Sequence, residues 1–445
     1  MTTAGRHQTV DLPRSKPRLP KEVWILVAAS FVIAVGFGIL APALPTFAAS
    51  FDVGVTAASI IVSAFAFTRL AFAPASGRLV SRFGERPIYI WGIVIVGVAT
   101  GACAFAATYW QLLLFRSLAG TGSTMFTVSA VALLVRLTPP ELRGRASGVW
   151  ATSFLLGNIA GPIVGGGLVE ISLRLPFLAY GITLLVAAFI AWLFLRRSTL
   201  AAPERSSDRD AMTVRQALRH RTYWASLASS FANGWAVFGV RVSLIPLFVA
   251  EVLRQGEGLS GISLSVFAVG NAGVLMFSGR LADTRGRKPL VLIGLLISAA
   301  GTIWLGATES VWPFLAASLV AGIGAGLLNP AQSAAVADVV GAKSNGGPVL
   351  AGFQMAADVG AIVGPLLAGV LADALSYEVA FGVTGLMSLL AILVWLPAPE
   401  TLPRTTGTDT RHTAEDVAAE SGCLDEGPEV PLGKRVAGRP RQPEP

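Results

Sequence analysis

Charge is scarce in this chain of 445 residues: Asp, Glu, Lys and Arg together make up 13%, against roughly 25% in an ordinary soluble domain. A soluble surface of this size needs more charge to stay dissolved, which argues against a soluble enzyme. Cysteine is nearly absent. Cys103 and Cys423 are too few for a disulfide framework or a cysteine-built metal site. One lies in an apolar run and the other in a polar tail, so both are expected to be free thiols. His7, His220 and His412 all fall in polar segments, none at ligand spacing to another His or Cys. Also missing are a Gly-x-x-x-x-Gly-Lys-Ser/Thr loop, a His-Glu-x-x-His pair and a Gly-x-Ser-x-Gly elbow. ATP is therefore not the energy source within this chain, and neither a hydrolase activity nor any cofactor or metal is expected.

What is present is apolar length. Hydrophobic residues are 53% of the chain and the mean hydropathy is +0.65. They gather into twelve runs, near 23–45, 56–77, 88–108, 111–135, 146–169, 176–196, 224–249, 260–280, 289–307, 312–335, 349–371 and 379–396. A bilayer core of about 30 Å takes roughly 20 apolar residues per helix, and a helix satisfies its own backbone in lipid. The expectation is an all-α membrane protein with twelve transmembrane helices. The first run is too long for a signal-peptide core and is expected to stay as a helix.

The formal net charge is +8, which could point to nucleic acid, so the placement of the basic residues decides. Arg69, Arg116 and Arg241 lie well inside spans, and one set of loops holds Arg174 and Arg254. The remaining 29 of the 34 lie in the other loops and both tails. Basic residues stay cytoplasmic, so both termini are expected in the cytoplasm, and no nucleic-acid partner is expected. Residues 197–223 form a charged central loop that divides the spans six and six. Residues 1–22 form a polar tail, and 398–445, rich in Pro, Gly and charge, are expected to be disordered.

The two halves repeat each other. Gly77-Arg78-Leu79-Val80-Ser81-Arg82-Phe83-Gly84-Glu85-Arg86-Pro87 matches Gly279-Arg280-Leu281-Ala282-Asp283-Thr284-Arg285-Gly286-Arg287-Lys288-Pro289 at an offset of 202. Gly157, Gly161, Pro162 and Gly166 match Gly360, Gly364, Pro365 and Gly369 at 203, and Gly120 and Gly122 match Gly322 and Gly324 at 202. The expected architecture is two pseudo-symmetric six-helix bundles, 23–196 and 224–397.

Six plus six spans in parallel repeat, joined by a basic loop, resemble the major facilitator transporters. Residues 279–289 look like that family's loop signature, and the copy at 77–87 departs from it by carrying Ser81 where the family has Asp. Arg116-x-x-x-Gly120-x-Gly122 resembles the span 4 signature. Gly157-x-x-x-Gly161-Pro162-x-x-Gly165-Gly166 resembles the span 5 signature of antiporters, above all the twelve-span drug:proton branch. The resemblance implies a proton-coupled exporter of a small organic molecule in the cytoplasmic membrane, acting as a monomer. It also implies that Arg116 takes part in proton transfer and that the span 5 motif seals against proton leak.

The motifs carry physical expectations of their own. Gly77, Arg78, Arg82 and Gly84 in one loop, and Gly279, Asp283, Gly286 and Arg287 in the other, read as gating turns. Asp283 would face the start of span 5 near Arg143 and Arg145 as a breakable latch, unless the turn merely sets topology. Gly157, Gly161 and Gly165 share one helical face and permit close approach, plausibly by a helix of the other half, and Pro162 can kink span 5. Ordinary small-residue packing is the plainer reading.

Intramembrane ions are costly and usually functional. Asp358 is the only acid deep in a span, with Gln354 one turn earlier. It is expected to exchange the proton, since removal from water favours a neutral carboxyl, or else to form a permanent salt bridge to Arg69, Arg116 or Arg241. Arg69 and Arg241 either bond to helix carbonyls or line a cavity that attracts anions. Asn158, Asn233, Asn329, Gln332 and Gln354 could add cavity hydrogen bonds, and Trp235 and Phe238 would suit an amphiphilic molecule. A metabolite importer or uniporter of the same fold, and a sensor that does not transport, are the alternatives.

Overall fold

A computed structural model describes residues 19–139, 142–195, 212–341 and 347–402. The expected disorder beyond residue 402 and most of the central loop lie outside these residues. Twelve helices are long and apolar enough to cross a membrane. Spans one to six are α1 (Lys21–Ala49), α2 (Val55–Phe83), α3 (Glu85–Cys103), α4 (Tyr109–Leu137), α5 (Arg143–Ile171) and α6 (Leu175–Leu195). After the short α7 (Val214–Ala217), the seventh span is built from α8 (Arg221–Asn233), a π-helical segment (Gly234–Val240) and α9 (Arg241–Glu251). Spans eight to twelve are α10 (Gly258–Arg285), α11 (Arg287–Gly306), α12 (Val311–Val340), α13 (Gly347–Ala374) and α14 (Tyr377–Trp395). Cys103 is a buried free thiol, and Cys423 lies outside the described residues.

The helices overrun their apolar runs where charged motifs follow. The expected loops at 77–87 and 279–289 are mostly helix: α2 runs on to Phe83 and α10 to Arg285. A hydropathy limit marks where lipid ends, whereas a helix continues while its backbone bonds are made. Each pair is then joined by one residue, Gly84 with φ 86° and Gly286 with φ 105°. That left-handed turn suits glycine, which has no Cβ to clash.

The repeat extends to atomic contacts. A Cβ on Gly92 would press on Phe126 N and Gly122 O, and one on Gly294 on Leu328 N and Gly324 O. All three pairs sit 202 apart. Glu85, at the start of α3, pairs with Arg136 at the end of α4. The positions 202 further on are Arg287 and Asp338, whose side chains pair at 3.1 Å. The same bridge occurs in both halves with its charges exchanged. This accounts for Ser81: Asp283 pairs with Arg287 four residues on, at 3.1 Å, whereas an Asp at 81 would face Glu85, a like charge at the same helical spacing. Glu85→Arg should cost about 1–3 kcal/mol of stability, and Glu85→Arg with Arg136→Asp should recover most of it. Thermal unfolding of the purified single and double variants checks this.

In the second half Arg287 is a hub. Its Nη1 donates to Ala282 O at 2.7 Å, and its Nε bonds Asp338 at 3.1 Å. Glu400, just beyond α14, accepts from the backbone N–H of Arg287 at 2.8 Å and of Lys288 at 3.0 Å. Burial alone would raise the Glu400 carboxyl, but backbone donors from Leu402, Arg287, Lys288 and Thr401 outweigh it and hold it below the usual carboxylate range. Asp283 therefore engages its own loop, and Arg145 is not among its described partners. The Arg143 side chain lies outside the described residues.

The span 5 glycines point two ways. A Cβ at Gly157, Gly161 or Gly165 would run into Ala34, the Val35 carbonyl or the Ile39 carbonyl of α1. That face packs within its own half, not against the other half as the spacing suggested. Gly166 faces Gly258 and Gly261 of α10, across the halves. Span 11 repeats the division: Gly360 and Gly364 face Phe231 and Trp235 of the seventh span, while Gly369 faces Thr56 and Ser59 of α2. Periodicity marks a face as small; it does not name the neighbour.

Hydrogen bonds that join the halves lie in the half of each helix away from the chain termini. Asp373 of α13 accepts from Val55 N at 3.0 Å, from Thr56 N at 2.8 Å and from the Thr56 hydroxyl, capping α2. Ser63 Oγ donates to Ile362 O at 2.8 Å, and Ser265 Oγ to Ile159 O at 3.0 Å. Glu170, which lies 203 residues before Asp373, brings its carboxylate to Gly258, the first residue of α10. Thus each half sets an acid from its fifth helix at the N-terminus of the other half's second helix, where the helix dipole favours an anion. At the opposite ends of α2 and α10, Gly77 and Gly279 have nothing within 4 Å of where a Cβ would stand.

Candidate transport cavity

A cavity of about 460 Å³ lies among α1–α6, with Phe238 of the π-helical segment completing its wall. Its volume falls in the range of sites for small organic molecules. A larger groove of about 640 Å³ between α1 and α5 has Arg145 as its one described charge and a wall of Trp24, Val27 and Phe31. It is the more open of the two, so the cavity among α1–α6 is the better candidate.

Aromatic rings dominate the cavity wall, and their polar tips are tied off elsewhere. Trp150 Nε1 donates to Ser30 Oγ at 2.8 Å, and Tyr180 OH to Ile33 O at 3.3 Å. The rings are thus left to the cavity with no unsatisfied donor. Asn158 also lines it, its amide donating to Phe154 O at 3.0 Å. Two guanidiniums reach it, Arg69 from α2 and Arg116 from α4, and among the described residues no carboxylate lines it.

Arg116 is 4% exposed and lies over the Phe65 ring, 4.5 Å from its centroid. Its Nε has no hydrogen-bond partner among the described residues. Arg241 makes a parallel arrangement in the second half: it is 5% exposed, lies 4.1 Å from the centroid of Phe267, and leaves Nη1 unpaired. Phe65 and Phe267 are themselves 202 apart. Arg241, however, does not line the cavity. Asp358 is half-buried on α13 outside the cavity wall, with Gln354 beside it and Arg69 within electrostatic reach across the α2–α13 interface. Among the three arginines the sequence offered as its partner, Arg69 is the one placed near it.

Asn233, Asn329 and Gln332 stand apart from the cavity. Asn233 donates to Asn329 Oδ1 at 3.2 Å, Gln332 donates to the same oxygen at 3.1 Å, and Ser229 donates to Gln332 Oε1 at 2.9 Å. They satisfy one another between α8 and α12, as buried polar groups must. Trp235 is also core, donating to Thr384 Oγ1 at 3.2 Å. Phe238 is 51% exposed and does reach the cavity. The π-helical turn explains the difference. It shifts the phase of the seventh span, so faces read at 3.6 residues per turn do not run through it. The wall positions Phe37, Phe65, Phe126, Phe154, Trp150 and Tyr180 carried no sequence signal, because aromatics in lipid-facing and cavity-facing positions look alike.

A sequence profile of the Major Facilitator Superfamily matches residues 26–274 and 242–432. The Multidrug resistance protein 1 of Bacillus subtilis (strain 168) is 26% identical over 396 residues, covering 86% of this chain and 98% of its own. The class H Tetracycline resistance protein of Pasteurella multocida is 26% identical over 386 residues, covering 84% and 94%. Among solved structures, a bacterial homolog of the human lysosomal transporter Spinster, inward-facing and unoccupied, superposes with a TM-score of 0.74 at 18% identity. It covers 86% of this chain and 97% of that one, and at that identity it speaks for the fold alone.

Proposed function

Because this chain belongs to the Major Facilitator Superfamily, and is a multi-pass secondary transporter of the cell membrane rather than an enzyme, we propose that it exports a small organic molecule, a drug or drug-like metabolite, in exchange for protons. The observation that carries this reading is a cavity of about 460 Å³ in a bundle whose halves are hydrogen-bonded at the face away from the termini. With both termini cytoplasmic, as the basic residues favour, that geometry is an inward-open state. Rocking of the halves about the cavity then exposes it outside. The Asp373 cap on α2 and the approach of Glu170 to the start of α10 are the outer contacts that must break. The turns at Gly77, Arg78, Arg82 and Gly84, and at Gly279, Asp283, Gly286 and Arg287, are the inner surfaces that must meet.

Asp358 is the proton carrier in this scheme. Ionised, it attracts Arg69 across the α2–α13 interface; protonated, it loses that attraction, so proton entry changes the electrostatics between the halves. Arg116 stays charged throughout, since guanidinium does not deprotonate in proteins. Its part is to tune and to bind. The relatives' names, multidrug and tetracycline resistance, favour outward movement of drug-like cargo. In a pump-deficient bacterium, expression of the wild type should lower accumulation of at least one compound from a toxicity panel. Asp358→Asn should abolish proton-driven uptake into everted vesicles. Full uptake by that variant would remove Asp358 from the mechanism, and wild-type cells with no efflux phenotype would overturn the export reading.

A further inference from the structure

We propose that the cargo is an amphiphilic organic anion, a carboxylate or phenolate carried on an aromatic skeleton, with Arg116 as its counter-ion. The inference rests on the export reading but concerns the charge of what is bound. Three observations lead to it. Among the described residues, the cavity wall holds two guanidiniums and no carboxylate. Arg116 is 4% exposed, its Nε has no partner, and the Phe65 ring beneath it is its one described cation–π contact. Asp358 stands outside the wall within reach of Arg69, so it can offset that arginine and leaves Arg116 uncompensated.

A permanently charged group buried without a counter-ion is costly, and the cost is relieved by a ligand that brings the charge. Phe65 supports one face of the guanidinium by cation–π attraction and leaves its edges for a two-pronged acceptor. The remaining rings, Phe37, Phe126, Phe154, Trp150 and Tyr180, present apolar faces once the Trp150 and Tyr180 donors are bonded to α1. Flat hydrocarbon stacks well on such faces. The volume of about 460 Å³ suits a molecule of a few rings and is too small for a two-tailed phospholipid. An organic cation, by contrast, would enter a cavity that already carries unbalanced positive charge. Exporting a monoanion against an entering proton also moves both charges in the direction that an inside-negative potential favours.

The test is calorimetric titration of the purified full-length protein with three probes of one skeleton: naphthoate, naphthylmethylammonium and naphthalenemethanol. The expected order is naphthoate tightest, by about tenfold over the neutral alcohol, with the ammonium weakest. Arg116→Gln should erase the preference for naphthoate while leaving naphthalenemethanol binding in place, which also reports that the variant is folded. Arg116→Lys should keep part of the preference, having the charge without the fork. Arg241→Gln, which removes an equally buried guanidinium outside the cavity, should leave naphthoate binding unchanged. The proposal is overturned if the ammonium binds as tightly as naphthoate, if naphthoate binds no better than the alcohol, or if Arg116→Gln leaves naphthoate affinity intact. Should Arg116→Gln fail to fold, the order of the three probes on the wild type decides alone. None of these outcomes bears on whether the protein exports, which is scored separately by accumulation in pump-deficient cells.

Discussion

Gly161→Leu is expected to abolish transport, and Gly161→Ala to do most of the same damage. The atom in the way is backbone. A Cβ at this position overlaps the Val35 carbonyl oxygen, with the Gly38 Cα only 2.8 Å away. A flexible side chain could swing aside; a helix backbone can retreat only by moving α1 as a whole. Overpacking in a tight interface costs about 1–3 kcal/mol even where side chains can adjust, and here the α1–α5 contact also frames the cavity through Ala34, Phe37 and Asn158. The control lies six residues further on. Gly167 closes the run Gly165-Gly166-Gly167 on the same helix, yet nothing lies within 4 Å of its added Cβ. Gly167→Ala should therefore be silent or stabilise the helix by up to about 1 kcal/mol. Accumulation assays at matched membrane expression, paired with thermal unfolding of the purified variants, check both. Full transport by Gly161→Leu would sink the packing argument, and loss of transport in Gly167→Ala would show that the glycines act through something other than contact.

Breaking the outer caps should shift the protein towards the outward-open state. Asp373→Ala removes the acceptor for Val55 N, Thr56 N and the Thr56 hydroxyl, and Glu170→Gln removes the charge beside the first residue of α10. A cap, or a charge set beside an exposed helix start, is worth about 0.5–1 kcal/mol. Because the two act on different helices, the double variant should accumulate about 1–2 kcal/mol, a population shift of about 5- to 30-fold. Spin-label distances between Phe105→Cys and Glu309→Cys, on exposed loops of the two halves at that face, should lengthen in the double variant on a background freed of native cysteine. An unchanged distance distribution would mean that the caps do not set the equilibrium. Thr56→Val, which removes only the hydroxyl, should give a fraction of the Asp373→Ala effect.

Much of the architecture was legible because lipid imposes it. A span must be apolar for about 20 residues, so twelve runs gave twelve helices, and the repeat at 202 located pseudo-equivalent turns at Gly84 and Gly286. The exchanged bridge was present in the letters too. Glu85 and Arg287 sit within the quoted repeat, and Arg136 and Asp338 share its offset. What hid it was the reversal of sign, which a search for identical residues passes over. The acids Glu170 and Asp373 escaped notice for another reason: near the end of a span a carboxylate looks like ordinary loop charge until its helix partner is known.

The candidate site was legible only in part. Arg69, Arg116 and Asn158 line the cavity, while Asn233, Asn329 and Gln332 bond to one another elsewhere and Arg241 sits on Phe267 outside it. An intramembrane polar residue announces that it needs a partner, but nothing in the chain says whether that partner is protein, water or cargo.

By itself, then, the sequence determined the twelve spans, their division into halves and the scarcity of buried charge, because each follows from the solvent a residue must meet. The tertiary structure decided which buried ions are compensated. Compensation is a property of distance, and distances between helices are set by where glycine lets backbones close in. Arg69 has Asp358 within reach, Arg116 has no acid near it among the described residues, and the difference rests on the packing of α2 against α13.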